Sequence, residues 1–185
     1  MKVQGARIYL RPVAVTDVGA RYLRWMNDPE VTQYLEVRFS PQTIDSIRDY
    51  VVAMAAKNDE PFFAMCLNES GEHIGNIKLG PINSHHRTAD LSLVIGEKPW
   101  WGKGIASEAI GLVTRHAFET LGLRKLKAGC YAGNEGSAKA FERCGWTREG
   151  LQRGQALSEG RETDVILLGI LERDYRVATR RTSTP

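Results

Sequence analysis

Two glycines in the run Trp101-Gly102-Lys103-Gly104-Ile105-Ala106 could expose backbone N–H groups to an anion. The run follows an apolar segment, 89–95, that predicts a buried strand, and it precedes a segment, 107–121, that predicts a helix. The first N–H groups of a helix have no intrahelical partners, and this end of the helix dipole is positive. Because glycine has no side chain, a phosphate can approach the backbone closely there. The run therefore predicts a phosphate-binding turn, although an ordinary strand–helix turn would carry the same residues.

The spacing of these glycines excludes two other phosphate loops. A Rossmann fingerprint needs a third glycine where this chain has Ser107, and no Walker sequence is present. The run 101–106 instead resembles the pyrophosphate loop of the GNAT N-acetyltransferase superfamily, Gln/Arg-x-x-Gly-x-Gly/Ala, with Trp101 in place of the usual Gln or Arg. The longer run 101–109 resembles the branch that contains ribosomal-protein alanine/serine N-acetyltransferases and spermidine acetyltransferases.

A second cluster, 134–146, follows another predicted strand and opens a helix. Asn134 is a good N-cap residue, and that use alone would explain it. Its spacing to Ser137, Phe141 and Gly145-Trp146 also resembles a GNAT pattern of Asn, a small residue, an aromatic residue and Gly-Phe. The resemblance implies that Asn134 and its helix hold the pantetheine arm of acetyl-CoA close to the thioester sulfur.

The implied reaction, acetyl transfer from acetyl-CoA to a primary amine, has three chemical requirements. The amine must lose a proton, because an ammonium group with a pKa of ~10 is not a nucleophile. The thioester oxygen needs a hydrogen-bond donor as it becomes negative. The leaving thiolate, whose thiol has a pKa of roughly 8.5, needs little help from an acid. Direct attack of the amine meets these requirements without a metal or a covalent intermediate.

The resemblance assigns these roles to particular residues. The backbone of Val94 and Ile95 is expected to bind the oxyanion, Asp90 to act on the amine through water, and Ser137 to act on the sulfur. Phe141 stands where many members have a tyrosine acid and cannot donate a proton. Each residue also has a purely structural alternative. Asp90 could be a solvated residue at the edge of a strand, and Ser137 could be an ordinary residue of the first turn of a helix. The residues expected to contact acetyl-CoA are Val94, Ile95, Trp101, Gly102, Lys103, Gly104, Ile105, Ala106, Asn134, Ser137 and Phe141.

The acceptor pocket is expected near the segment 25–36, which is rich in aromatic and acidic residues. Trp25, Tyr34 and Glu36 are its candidate substrate contacts, because a carboxylate suits a cationic amine. An ordinary helix and turn with surface acids is the alternative for this segment. Trp101 could pack on the loop, on the cofactor or in the core.

The elements that must position these residues follow from periodicity and turn signals. Their order is β-α-α-β-β-β-α-β-α-β-β, which predicts an α/β fold with a mixed, mostly antiparallel sheet of about seven strands and helices on both faces. The same order is similar to the GNAT fold. The strands are expected at 8–12, 62–67, 73–82, 88–95, 125–131, 146–152 and 163–171. The helices are expected from 16 or 17 to 26, from Ser40-Pro41 to 57, at 107–121 and at 137–144.

Length and composition bound the rest of the interpretation. The chain has 185 residues, 42% apolar and 25% charged, which predicts one globular domain over 1–175 and a basic, disordered tail over 176–185. The net charge of +3 argues against a nucleic-acid partner, and no stretch is apolar enough to span a membrane. Cys66, Cys130 and Cys144 form no zinc or disulfide pattern, so a cytoplasmic location is expected.

Several alternatives stay open from the sequence. The acceptor could be a protein N-terminus, a polyamine, an amino sugar or a similar amine, and the chain could be a monomer or a homodimer. A catalytically weak or inactive CoA-binding sensor or scaffold is the main alternative to an enzyme. A nucleotide-binding protein of another fold is a third possibility, which predicts binding of NAD or ATP rather than CoA.

Overall fold

The computed structural model describes residues 2–182. The eight strands in this range form one sheet. Its strands lie in the order β1-β2-β3-β4-β5-β6-β8-β7, and every neighbouring pair is antiparallel except β5 and β6. The strands are β1 (Val3–Gln4), β2 (Ile8–Pro12), β3 (Phe62–Leu67), β4 (His73–Leu79), β5 (Thr88–Ile95), β6 (Lys125–Tyr131), β7 (Thr147–Ser158) and β8 (Arg161–Leu171). The predicted mixed, mostly antiparallel sheet is confirmed, with one more strand than expected because the two-residue β1 leaves no alternating pattern.

The helices lie on both faces of the sheet, as predicted. They are α1 (Ala20–Asn27), α2 (Pro29–Thr32), α3 (Ile44–Ala55), α4 (Ile105–Glu119), α5 (Glu135–Glu142) and α6 (Glu172–Thr182), with 3₁₀ turns at Val15–Asp17, Glu36–Phe39 and Lys98–Trp100. Alternate residues of β3 show the two faces: Phe63 and Met65 pack with α4 and α5, whereas Ala64 and Cys66 pack with α1 and α3. No helix among the residues described combines the length and the apolar character needed to cross a bilayer.

Most helix bounds differ from those predicted. Helix α1 begins at Ala20 rather than at 16 or 17, and α4 and α5 each lie two residues earlier than expected. Helix α3 begins at Ile44 rather than after Ser40-Pro41, because Thr43 and Ser46 form a reciprocal capping box. The predicted disordered tail is helical as far as Thr182, and residues 183–185 lie outside the described part of the chain. The start of this helix, α6, is held by Tyr175, whose ring packs on Phe118 and whose hydroxyl donates to Glu119.

Strands β5 and β6 pair only at their first residues, Thr88–Asp90 with Lys125–Lys127. Beyond this point β5 pairs with β4 as far as Ile95, while β6 pairs with β8 as far as Tyr131. The two strands therefore separate, and over 91–95 the edge of β5 that faces away from β4 has no neighbouring strand among residues 2–182. This opening in the sheet is where the candidate site lies.

Candidate active site

A cavity of about 790 Å³ occupies the opening between β5 and β6. Its walls come from β4, β5, β6, α1, α3, α5 and the segment 34–37. Asn134, Ser137 and Phe141 line one side, and Tyr34 and Glu36 line another. The structure thus brings the predicted pantetheine residues and two of the predicted acceptor residues to one cavity.

The free edge of β5 offers backbone groups to this cavity. Gly80 N–H donates to Asp90 O at 2.7 Å, and Gly96 N–H donates to Ile74 O at 2.9 Å. Because pairing groups alternate along an antiparallel strand, the even-numbered residues 90–96 direct their N–H groups toward β4. Leu93 and Ile95 therefore direct theirs toward the opening. This corrects the expectation for Val94, whose N–H faces β4 and whose side chain lines the cavity.

The glycine run has the backbone geometry that an anion-binding turn requires. Gly102 and Gly104 have φ of +69° and +78°, in the left-handed region that favours glycine, and Gly104 is the N-cap of α4. A side chain at Gly102 would meet no heavy atom within 4 Å, so the loop is open to a ligand. Within the part of the chain described, the N–H groups of residues 102–107 donate to no protein acceptor. These donors all lie at the positive end of the α4 dipole.

An arginine just before β2 holds this loop in place. The Arg7 guanidinium donates to Lys103 O at 2.6 Å and to Glu108 Oε2 at 2.9 Å. Glu108 Oε1 accepts the backbone N–H groups of Arg7 and Ile8. Burial would raise the pKa of Glu108, but these N–H groups and the guanidinium outweigh it and hold the pKa below its ordinary value. Sequence reasoning missed this contact because Arg7 and Glu108 are 101 positions apart.

Trp101 connects the loop to the end of β5. Its indole Nε1 donates to Ile95 O at 2.8 Å, and its side chain remains 37% exposed. Trp101 therefore packs on the loop and not in the core. This bond occupies the carbonyl of Ile95, which faces the opening. The N–H of Ile95 faces the same way and has no protein acceptor among the residues described. Lys103 lies beside the loop with its Nζ 5.1 Å from the centre of the Trp100 ring.

The N-terminus of α5 forms the wall opposite β5. Asn134 caps the helix by accepting the Ser137 N–H at 3.2 Å, so its structural role is present as well as its place in the cavity. Phe141 is 1% exposed and packs on Trp146 with ring centres 4.7 Å apart. Its position fixes α5 against the sheet and so fixes where Asn134 and Ser137 lie.

A hydrogen-bonded group of side chains forms the wall that contains Tyr34 and Glu36, which the sequence predicted as acceptor contacts. Tyr131 OH donates to Glu36 Oε1 at 2.5 Å and accepts from Arg38 Nη2 at 2.9 Å. Tyr34 OH donates to Gly133 O at 3.1 Å, which ties the segment 34–37 to the loop after β6. Sequence reasoning missed Tyr131 and Arg38. The signal for Tyr131 was its position at the end of β6, three residues before Asn134.

Two predicted site residues lie elsewhere. Trp25 is 1% exposed in the core beneath α1, where its Nε1 donates to Glu97 Oε1, so the expectation that it contacts substrate is corrected. Asp90 lies at the start of β5 outside the cavity lining and pairs with Lys127 at 3.3 Å. Both outcomes follow from pairings between distant segments that the local sequence does not show.

Comparisons with known proteins agree with this geometry. Residues 7–147 match the sequence profile of the acetyltransferase (GNAT) domain. The chain belongs to the GNAT acetyltransferase family. It is therefore an acyl-transferring enzyme of the N-acetyltransferase type with acetyl-CoA as co-substrate, as the glycine run and the Asn134 cluster predicted.

Individual relatives match over most of their length. The chain is 28% identical to the uncharacterized N-acetyltransferase p20 of Bacillus licheniformis, over 91% of this chain and 95% of that one. It is 28% identical to a spermidine N(1)-acetyltransferase of Vibrio cholerae, over 82% of this chain and 80% of that one. The crystal structure of spermidine N-acetyltransferase from Vibrio cholerae superposes with a TM-score of 0.83 at 24% identity, covering 93% of this chain and 99% of that one. The likeness of this GNAT chain to that structure is a likeness of fold.

Proposed function

We propose that this GNAT enzyme acetylates a primary amine that enters the cavity from the Glu36 side and attacks the thioester at the free β5 edge. The observation that carries the proposal is the opening between β5 and β6. It has unpaired backbone donors on one wall, the start of α5 on the other and a carboxylate at the acceptor end. These are the groups that acetyl transfer to a cationic amine needs.

The donor half of the reaction uses backbone groups. The N–H groups of residues 102–106 bind the coenzyme's diphosphate, with Lys103 beside it. The pantetheine arm then lies between β5 and Asn134, and the N–H of Ile95 or Leu93 stabilises the thioester oxygen as it becomes negative. Ser137, in the first turn of α5, donates a hydrogen bond to the departing sulfur.

The acceptor half uses side chains. The Glu36 carboxylate attracts the ammonium form of the amine and, through water, accepts the proton that the amine must lose. Tyr131 donates to the same carboxylate and so fixes its position. Asp90, the base expected from the family pattern, remains a candidate only through a chain of water molecules, because Lys127 holds it outside the cavity lining.

The spermidine acetyltransferases among the relatives raise the possibility of a polyamine acceptor. The described residues give the cavity lining two charged side chains, Glu36 and Lys78, and Lys78 donates to Glu60 at 3.1 Å. One carboxylate suits one ammonium group. A polyamine carries several positive charges, so a monoamine fits this lining better.

The proposal is tested by measuring the thiol of CoA released from acetyl-CoA in the presence of different amines. We expect release that depends on the amine, with a kcat/KM that rises with pH as the amine loses its proton. Spermidine, glucosamine and a short peptide with a free N-terminus separate the three acceptor classes. Tight CoA binding without amine-dependent release would instead identify a sensor or scaffold and overturn the proposal.

A further inference from the structure

A buried amide in the cavity has no hydrogen-bond partner. Asn76, on β4, is 2% exposed and lines the cavity, and its Nδ2 finds no acceptor among the residues described. An unsatisfied buried donor is costly, so a native structure that keeps one in a ligand cavity calls for an explanation. The β4–β5 register places Asn76 opposite Val94, one strand away from the free β5 edge. The amide is therefore close to the place where the amine must attack.

A histidine fixes which atom of the amide has a partner and which has none. His73 Nε2 lies 3.0 Å from Gly75 O and 2.8 Å from the Oδ1 of Asn76. A carbonyl oxygen can only accept, so Nε2 must carry the proton that Gly75 O receives. A reversed amide would then bring two donors together. The Oδ1 therefore stays on His73, and the Nδ2 is the amide atom left without a partner among the residues described.

The histidine is itself held by buried contacts. Its ring packs edge-on against Trp25, with ring centres 5.0 Å apart, and its Nδ1 lies 4.0 Å from Asp17. Arg11 makes two hydrogen bonds of 2.7 Å to that aspartate. Burial lowers the pKa of His73, so the ring is neutral and keeps its single proton on Nε2. The orientation of Asn76 is thus set by a row of side chains that reaches back to β2.

An amide N–H donor selects for an oxygen. An ammonium group has no lone pair to accept a hydrogen bond, and an apolar carbon leaves the donor unsatisfied. We propose that Asn76 Nδ2 donates a hydrogen bond to an oxygen next to the reacting amine, so that the acceptor is an amine bearing a neighbouring hydroxyl or carbonyl oxygen. Amino alcohols, amino sugars and peptide N-termini have this chemistry, whereas polyamines lack it. This inference rests on the proposed function, because it names the acceptor class of the same cavity.

The test compares amines that differ only in the oxygen. 1-Amino-2-propanol and isobutylamine have the same shape, with a hydroxyl in one and a methyl in the other. The hydroxyl also lowers the pKa of the amine, so kcat/KM is expressed per unprotonated amine for both compounds. On that basis we expect it to favour the hydroxyl-bearing amine by about tenfold or more, since a site that binds a hydroxyl rejects an analogue without it. In Asn76→Leu this ratio should fall to about one, mainly through loss of activity on the hydroxyl-bearing amine. Glucosamine and alaninamide then separate a sugar hydroxyl from a peptide carbonyl as the source of the oxygen.

Two further variants keep the result interpretable. Asn76→Asp preserves the shape but removes the donor, and it should also lose the preference if Asn76→Leu fails to fold. Gln42→Leu is the matched control: Gln42 lines the same cavity, but its Nε2 already donates to Ser40 O at 2.9 Å, so the ratio should not change.

Three outcomes would overturn the inference. They are equal kcat/KM for the two amines in the native enzyme, a ratio that survives Asn76→Leu, and a preference for spermidine. If CoA binds and no amine reacts, the proposed function itself fails, which is a different result from reaction without a preference.

Discussion

The two halves of the cavity are built in different ways. The donor half consists of backbone groups from two continuous stretches, 93–107 and 134–141, in which glycines and helix starts expose N–H donors. The acceptor half consists of side chains from separate elements: Glu36, Asn76 and Tyr131. A coenzyme common to a whole family can be held by backbone that any sequence provides, whereas an acceptor must be recognised by side chains that differ between members.

Two arginines, one just before β2 and one within it, anchor both halves. Arg7, just before β2, ties the glycine loop to the first turn of α4, and Arg11, within β2, holds Asp17 behind the His73–Asn76 pair. Each arginine bonds to a carboxylate that is at most 13% exposed. The donor and acceptor walls are therefore positioned relative to one another through the short segment 7–11.

The largest effect is expected from Gly104→Glu, which attacks the backbone donor half directly. The substitution places a side chain at φ +78° and a negative charge at the N-terminus of α4, beside the proposed diphosphate. Backbone strain and charge repulsion should together weaken CoA binding by at least about 100-fold. Isothermal titration with CoA measures this change.

Gly111→Glu is the control for added charge on the same helix. A Cβ at Gly111 would meet no heavy atom within 4 Å, and the position lies about 10 Å along α4 from Gly104. CoA affinity should change by less than about twofold, since the dipole effect falls off within the first turn. Equal losses in both variants would show that the effect does not come from the loop.

The donor half was largely predictable because its signals are local. The bounds of β3, β5 and β6 matched those expected, and the glycine run and Asn134 marked the two helix starts next to the cavity. The start of α4 still came two residues earlier than expected, because the left-handed Gly104 can itself serve as the N-cap. The proposed oxyanion donor could not be assigned without the register: pairing with β4 directs the N–H groups of Leu93 and Ile95, and not that of Val94, toward the opening.

A smaller effect is expected from removing the charge of a carboxylate that could act on the amine, either Glu36 or Asp90. Glu36→Gln should lower kcat/KM for the amine by about tenfold, because it removes the charge that attracts an ammonium group in the cavity. Asp90→Asn should lower it by less than about twofold, because that carboxylate lies outside the cavity lining, whereas Glu36 is part of it. Steady-state kinetics over a range of pH tests both. The reverse order of effects, or a pH profile moved only by Asp90→Asn, would return the role of base to Asp90.

The acceptor half could not be predicted to the same degree, because its side chains meet only in the folded chain. Tyr131 contacts Glu36 across 95 positions, and the amide of Asn76 is oriented by His73, whose part in the site no local sequence signal indicates. Trp25 was placed in the acceptor pocket for its aromatic character. In the fold it fills the core beside Gly96, where an added Cβ would lie 2.1 Å from its ring.

A moderate, pH-dependent effect is expected for the anchor of the donor half. The folded pKa of Glu108 lies below its ordinary value of 4.5, so the carboxylate contributes stability above that value and loses it as the pH falls through the folded pKa. Glu108→Gln should therefore be less stable than the native enzyme at pH 7, and the difference should shrink below pH ~4.5. Urea unfolding at several pH values measures it. A difference that stays constant between pH 7 and pH 3 would show that the ionised carboxylate is not what anchors the loop.

The smallest effect is expected from Trp101→Phe, which tests how the two ends of the donor half are joined. The change removes the indole N–H that donates to Ile95 O but keeps an aromatic ring on the loop. A neutral hydrogen bond contributes about 1 kcal/mol, so the CoA Kd should rise by about threefold to tenfold. The affinity for amine should stay unchanged, because Trp101 lies outside the cavity lining. A rise in the amine KM as large as that in the CoA Kd would mean that the loop and the acceptor wall move together. The donor and acceptor halves would then be coupled in binding free energy, although one is built from backbone and the other from side chains.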